Sequence, residues 1–598
     1  MADEGPADTA GSKFSRSSAS TTSSRESAST GLTHPRTLEP AVLVLIIVLS
    51  VLGAIIGLHL VTTLGISANT SVIGALIAML VGRVSLAGLR SMRSIHRQNL
   101  AQTAISASTF AAANALLTPI AVPFAFGRPD LVWPMLLGAT VALAVDSFIL
   151  YKIFDSRFMP ASAAWPPGVA AAETIIAGDR GGRRAVILAA GGAVGLAGTF
   201  FFDLAMSAAG VALIGNMWAL GMFGVGLMVN QYVPSLLDVD LGAAYIPHGV
   251  MIGAGIVALG QAIVLLSRHR ARRAEATARS EPAATAAGGS AAGAGSTAGA
   301  GAAATAGGGE ATAVGGAEMS ADDPRMTPTV DEAQVRSALG LGYLLFIGGA
   351  VLLAAVGGLF SGMSGIGLVG WVLFAAFAAL VHEVIVGLAA MHSGWFPAFA
   401  VTLIFLVVGL LVGIPGLPLA LLVGYCAATG PAFADMGYDF KAGWMLRRDG
   451  PYPAFELAGR RQQYMAAVVG FGVALAAVAL LWRSYLESGQ IPPVAEVFAD
   501  TVKAGLSDPE VGRNLLLWAL PGALIQFIGG TRRQMGILLA TGLLIVSPNA
   551  CWLVFAALAA RIGYRRHRGA RADAELSLVG AGIIAGDSVA ATGLALKD

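Results

Sequence analysis

Four ionisable residues, Asp146, Asp203, His382 and Glu383, stand inside runs of apolar residues, and His59, His248 and His392 stand at or near the ends of such runs. A charge at the centre of a bilayer costs about 3 kcal/mol or more, so a carboxylate kept there is a candidate for handling protons or solute. His382 and Glu383 are adjacent, and neighbours on a helix point about 100° apart, so no more than one faces a given cavity squarely. The plainer alternative is that one of them bonds a backbone carbonyl or another helix and serves packing alone. Asp203 follows Phe201 and Phe202 near the end of its run and can equally lie at the interface. Asp146 sits within two turns of Lys152 and can simply pair with it. Asn216, Asn230 and Gln231, together with Tyr232, frame a glycine-rich segment and either line a polar path or bridge helices.

Other chemistries fail on inspection. The run from Gly365 to Gly370 has dinucleotide-fingerprint spacing, but no strand precedes it, and close helix packing explains its glycines better. His382-Glu383 begins a zinc-protease motif, yet Val386 stands where the second ligand belongs. Around Ser364 a nucleophile elbow needs Gly at 366, where Ile366 stands. Cys426 and Cys551 are the two cysteines, both in apolar stretches and in no CxxC pair, so neither a disulfide framework nor a zinc site is expected. No metal site, cofactor or enzyme activity is expected, and a net charge of +2 gives no ground for a nucleic-acid partner.

The elements that must position these groups are membrane helices. Of 598 residues, 56% are hydrophobic and 12% charged, and the mean hydropathy is +0.73. A soluble chain carries about 25% charged residues, so too little polar surface remains to cover a body in water. The expected fold is an all-α polytopic membrane protein of about 14–16 transmembrane segments in two halves, some of them broken or re-entrant. Spans are expected at about 40–62, 68–89, 100–125, 130–152, 185–206, 210–232 and 242–267. A second set is expected at about 337–360, 366–390, 395–415, 417–433, 463–482, 513–530, 534–562 and 576–595. Residues 1–38 read as a disordered cytoplasmic tail, 39–268 as the N-terminal membrane half, 269–335 as an Ala/Gly-rich flexible linker and 336–598 as the C-terminal half.

Basic residues gather in alternate loops, which places the tail and the linker in the cytoplasm of a cell-membrane protein. The parity fails once. Three spans between the basic groups near 180–184 and 268–273 cannot leave both groups on one side, so one segment among 185–267 is expected to be re-entrant or miscounted. Residues 534–562 are long for one span, short for two, and carry Pro548, which suits two half-helices.

The stretch from Ala427 to Gln463, AATGPAFADMGYDFKAGWMLRRDGPYPAFELAGRRQQ, reads by itself as a span ending in small residues, a cytoplasmic loop with Asp435, Asp439 and Lys441, and a basic cluster opening the next span. It also resembles the oligopeptide transporter family, on Asp439, Lys441, Gly443 and Arg461-Gln462. Three further segments are similar to that family: Trp165 to Glu173, with Pro167 where Glu is usual; Asn99 to Ala104; and Gly580 to Asp587, with Asp587 where Glu is usual. The resemblance implies a proton-coupled secondary transporter of small peptides or peptide-like solutes, including metal chelates. On that reading His382 and Glu383 serve coupling, Asp435, Asp439 and Lys441 shape the cytoplasmic gate, and the partners are the lipid bilayer, protons and the solute. The rival reading is a channel or a non-transporting membrane scaffold, and homo-oligomerisation stays open.

Overall fold

Long apolar runs must satisfy every backbone polar group internally, and only helices do so within one segment. The computed structural model accordingly contains helices and two isolated bridge pairs. It describes residues 33–63, 71, 74, 75, 78, 92–163, 165–180, 182–258, 260, 261, 323–393, 396–505, 509–544, 549–569 and 571–595. The expected span at 68–89 for the most part, the tail over 1–32, the linker over 269–322 and Pro548 lie outside these residues.

In chain order the helices are α1 (Pro40–Thr63), α2 (Ile95–Phe110), α3 (Thr118–Ala125), α4 (Val132–Ile153), α5 (Pro166–Arg180), α6 (Gly182–Phe202), α7 (Met206–Ile214) and α8 (Met217–Leu237), then α9 (Ile246–Ala258). There follow α10 (Glu332–Val356), α11 (Gly365–Ser393), α12 (Ala398–Leu411), α13 (Gly416–Ala427), α14 (Pro431–Leu446) and α15 (Ala454–Leu486). The last are α16 (Pro493–Ala504), α17 (Pro509–Arg533), α18 (Met535–Leu544), α19 (Ala550–Arg568) and α20 (Arg571–Ala595). A π-helical segment, Ala111–Leu117, joins α2 to α3.

Among the described residues nine helical spans are long and apolar enough to cross a membrane, and five shorter apolar helices accompany them. The protein is an all-α polytopic membrane protein. Two spans form its centre: Ile95–Ala125 and Gly416–Leu446 are each 94% buried, against 28% for Met217–Leu237, which faces outward. The helices gather in two groups. One holds α1–α5 with α10–α16, the other α6–α9 with α17–α20, and they touch chiefly through α20 against α1 and α5, α6 against α5, and α17 against α11. Each group therefore draws on both sequence halves.

Residues 182–258 form four helices, α6 to α9, of which α7 is the shortest. At 1.5 Å per residue the nine residues of α7 cover about 13 Å and cannot cross about 30 Å of hydrocarbon. The residues read as half-helices over 534–562 form α18 and α19, again two pieces. Small residues allow the closest crossings. A Cβ on Gly195 of α6 would strike the Ile583 carbonyl oxygen of α20, so those two backbones meet directly.

Candidate functional site

The central feature is the break between α13 and α14. Gly430 takes φ +83°, and a Cβ there would lie 2.9 Å from the His382 ring, so only glycine fits without strain. Pro431 follows at the first helical position, where its missing N–H matters least. The break sits in the protein interior, and other helices satisfy the groups it frees. Asp146 of α4 accepts from Gly430 N at 2.9 Å and from Phe433 N at 2.8 Å, capping α14 from across the bundle. A carboxylate at a helix N-terminus also meets the positive end of the helix dipole. Thr429 Oγ1 donates toward Cys426 O at 2.8 Å. His382 Nδ1 lies 3.1 Å from Thr429 Oγ1, and its Nε2 lies 2.8 Å from Ala398 O and 3.0 Å from Thr402 Oγ1. His382 thus ties α11, α12 and the break together, and both of its ring nitrogens are occupied.

Glu383 is different. It is fully buried, its carboxyl interacts with that of Asp146, and neither of its oxygens meets hydrogen-bond geometry with any described group.

Further along α14, Asp435 and Asp439 stand one turn apart and face α2. Ser106 Oγ donates to Asp435 Oδ1 at 2.7 Å, and Gln102 Nε2 donates to Asp439 Oδ1. Ser71 Oγ lies 3.2 Å from Asp435 Oδ1 and 3.1 Å from Asp439 Oδ1, but one hydroxyl has one proton and cannot serve both. The second oxygen of each carboxyl and the Tyr438 hydroxyl have no hydrogen-bond partner among the described residues. No cation forms an ion pair with Asp146, Glu383, Asp435 or Asp439 among those residues, although all four are 1% exposed or less. Buried carboxyls are normally paired. Here four of them share one broken helix and its neighbours without a countercharge among the described residues.

The cationic groups lie beyond. Lys441 Nζ donates to Ala161 O and Ala163 O, both at 2.9 Å, holding the α4–α5 connection against α14. Arg447 bonds Glu456 at 2.8 and 3.0 Å and Gln463 Oε1 at 2.7 Å, while Gln463 Nε2 donates to Asp439 O at 2.7 Å. Arg460 reaches Glu456, Asp155 and Phe154 O. The end of the linker docks here too. Thr329 donates to Asp155 through N and Oγ1, and Arg325 lies 4.4 Å over the Trp444 ring. His34 packs between His96 and Phe455, and burial, helped by the Arg447 guanidinium, pushes it down to about 4.

Sequence reading placed Asp435, Asp439 and Lys441 in an aqueous loop. They lie instead inside α14, because each polar side chain finds partners on α2 or the α4–α5 connection. Trp165 to Glu173, matched to a family loop, runs largely as α5 and packs on α14. Arg447 and Arg460 are buried rather than anchored at the surface. Asp146 does not pair with Lys152, which lies over the Phe148 and Tyr151 rings.

The remaining candidates stand apart from the interior cluster. Asp203 is exposed, at φ +50°, in the turn between α6 and α7. Asn216 caps α8 by accepting from Trp218 N and Ala219 N. Asn230 donates to Leu543 O and Gln231 accepts from Asn549 N, so these two fasten the ends of the broken α18–α19 pair. Sequence reading missed Ser71, Ser106, Asp155 and Glu456. For Ser106 the unusually polar character of α2, whose Gln98, Asn99, Gln102, Thr103, Ser106 and Ser108 are all buried, is the signal in the sequence. Among the described residues no group of three His, Cys, Asp or Glu is placed to hold a metal ion.

Buried polar groups gathered at a discontinuous helix are the arrangement in which secondary transporters place their binding sites. The family comparison agrees: the model described as OPT oligopeptide transporter protein matches residues 39–259 and 196–596. The chain belongs to the OPT oligopeptide transporter family. No curated protein matches it.

Proposed function

We propose that this protein is a proton-coupled secondary transporter of small peptides or peptide-like solutes, metal chelates among them. It acts in the cell membrane with its N-terminal tail in the cytoplasm. Glu383 with Asp146, and Asp435 with Asp439, are the two places where a coupling proton or a cationic solute group would be held. One observation carries the reading: the four interior carboxyls have no cation within ion-pair reach among the described residues. Facing carboxyls in a water-poor interior resist ionising together, so a transferable positive charge completes each pair. His382 acts as a positioning residue that keeps the α13–α14 break in place, and Lys441 holds the adjoining connection.

The closed interior supports a carrier over a channel open at rest, which would leave these side chains wet. Alternating access then requires α14 and its partners to open toward one face at a time. Uptake of labelled di- to tetrapeptides into proteoliposomes, with and without an inward proton gradient, tests the reading. The expected result is gradient-driven accumulation in the wild type and its loss in Glu383→Gln and Asp435→Asn, with counterflow exchange of the same peptide retained in at least one of them. Accumulation indifferent to the gradient in the wild type, for every peptide tried, would reject proton coupling.

A further inference from the structure

Where α4 ends and α10 and α15 begin, a crevice of about 970 Å³ opens at the surface. Its walls carry Lys152 from α4 and Arg461 from α15, both exposed. The cations around it are engaged: Arg460 on Glu456 and Asp155, Arg447 on Glu456, Arg157 near Glu332 at 3.9 Å. Lys152 and Arg461 are not in any ion pair among the described residues; Lys152 merely rests 5.5 and 5.7 Å over the Phe148 and Tyr151 rings. The one acidic residue on the wall, Asp331, is turned to the N-terminus of α10, where its Oδ1 accepts from Gln334 N.

The level and the surroundings matter as much as the charge. All three helices are membrane spans, and the crevice lies at the ends that carry their basic residues, which is the depth of lipid headgroups. Below it the surface of α10 is apolar: Leu341, Leu344 and Leu345 are 46%, 63% and 41% exposed. Two unpaired cations above an apolar stripe match a phosphate above acyl chains, and basic pockets between membrane helices are the usual receptors for anionic headgroups.

We propose that the crevice between α4, α10 and α15 binds the phosphate of an anionic phospholipid headgroup, with Lys152 and Arg461 as its paired counter-ions and the leucines of α10 as the seat of an acyl chain. Because Thr329 and Val330 of the linker end also form the wall, the bound lipid pins the linker end to the bundle. This site is separate from the interior carboxyls and stands whether or not they couple to protons.

The test uses the full chain in nanodiscs of pure phosphatidylcholine, titrated with phosphatidylglycerol, reading the thermal unfolding midpoint, since a ligand that binds only the folded state raises it. The wild type should gain stability saturably with phosphatidylglycerol. Each cation held against the headgroup strengthens anionic-lipid binding by about fivefold, so Lys152→Gln and Arg461→Gln should each shift the half-saturating fraction by about that factor and the double variant by about 25-fold. Arg336→Gln, an exposed cation on α10 outside the crevice, should leave the titration unchanged. Inorganic phosphate at millimolar concentration should not reproduce the gain. Equal gains in the wild type and the double variant, equal losses with Arg336→Gln, or a full gain from phosphate alone would each overturn the assignment. Both substituted side chains are exposed, so the midpoint in pure phosphatidylcholine should not move, and a lowered one would itself count against a purely lipid-binding role.

Discussion

Removing the Asp146 carboxyl tests how the broken helix is held. Asp146 supplies both acceptors for the first free N–H groups of α14, Gly430 N and Phe433 N, at 2.9 and 2.8 Å, and no solvent reaches them because Asp146 is fully buried. Leaving a buried donor unpaired costs about 1–3 kcal/mol, and side-chain bonds measured inside membranes fall nearer 0.6 kcal/mol because the unfolded chain finds other partners. Two such donors, with the lost dipole interaction of about 1 kcal/mol, give about 3 kcal/mol for Asp146→Ala. Asp146→Asn keeps one acceptor and should cost about half as much. Reversible unfolding in mixed micelles measures both, with Asp203→Ala as the control: Asp203 is exposed at a turn and donates nothing to the interior. The ranking Ala worse than Asn worse than control follows from the geometry. If Asp146→Ala were no more destabilising than Asp203→Ala, the capping role would be refuted, and the N-terminus of α14 would have to be satisfied in another way.

Three further outcomes follow from the same structure. Gly430→Ala forces a side chain into a left-handed backbone and to 2.9 Å from His382; it should cost about 1–3 kcal/mol in the same unfolding assay, and a neutral result would place the break elsewhere. Arg325→Ala removes a buried guanidinium from the Trp444 ring and should speed amide exchange over 323–331 at least several-fold; unchanged exchange would show that the linker end docks without it. His34, held near 4 by burial against about 6.5 in an unfolded chain, makes stability fall as pH drops from 6.5 toward 4, because only the unfolded chain takes up the proton there. The effect is at most about 3 kcal/mol and should be weaker in His34→Gln, so parallel pH profiles for the two proteins would contradict it.

Composition alone fixed the solvent of this protein. A chain with 12% charged residues and apolar runs of membrane length has no soluble fold open to it, and helices are the form those runs must take. The length of 534–562, too long for one span and too short for two, already pointed to the two pieces that α18 and α19 form. Tertiary structure decided the rest. Hydropathy ended a span near residue 433 because Asp435, Asp439 and Lys441 look aqueous one at a time. They are buried only because Ser71, Gln102, Ser106 and the Ala161 and Ala163 carbonyls meet them from helices and connections hundreds of residues away in sequence. The same holds for Asp146: spacing offered Lys152 as its neighbour, whereas its partners are the backbone of α14, some 285 residues on. Periodicity and charge report what a segment needs from its surroundings, and only the packed chain determines which distant segment supplies it.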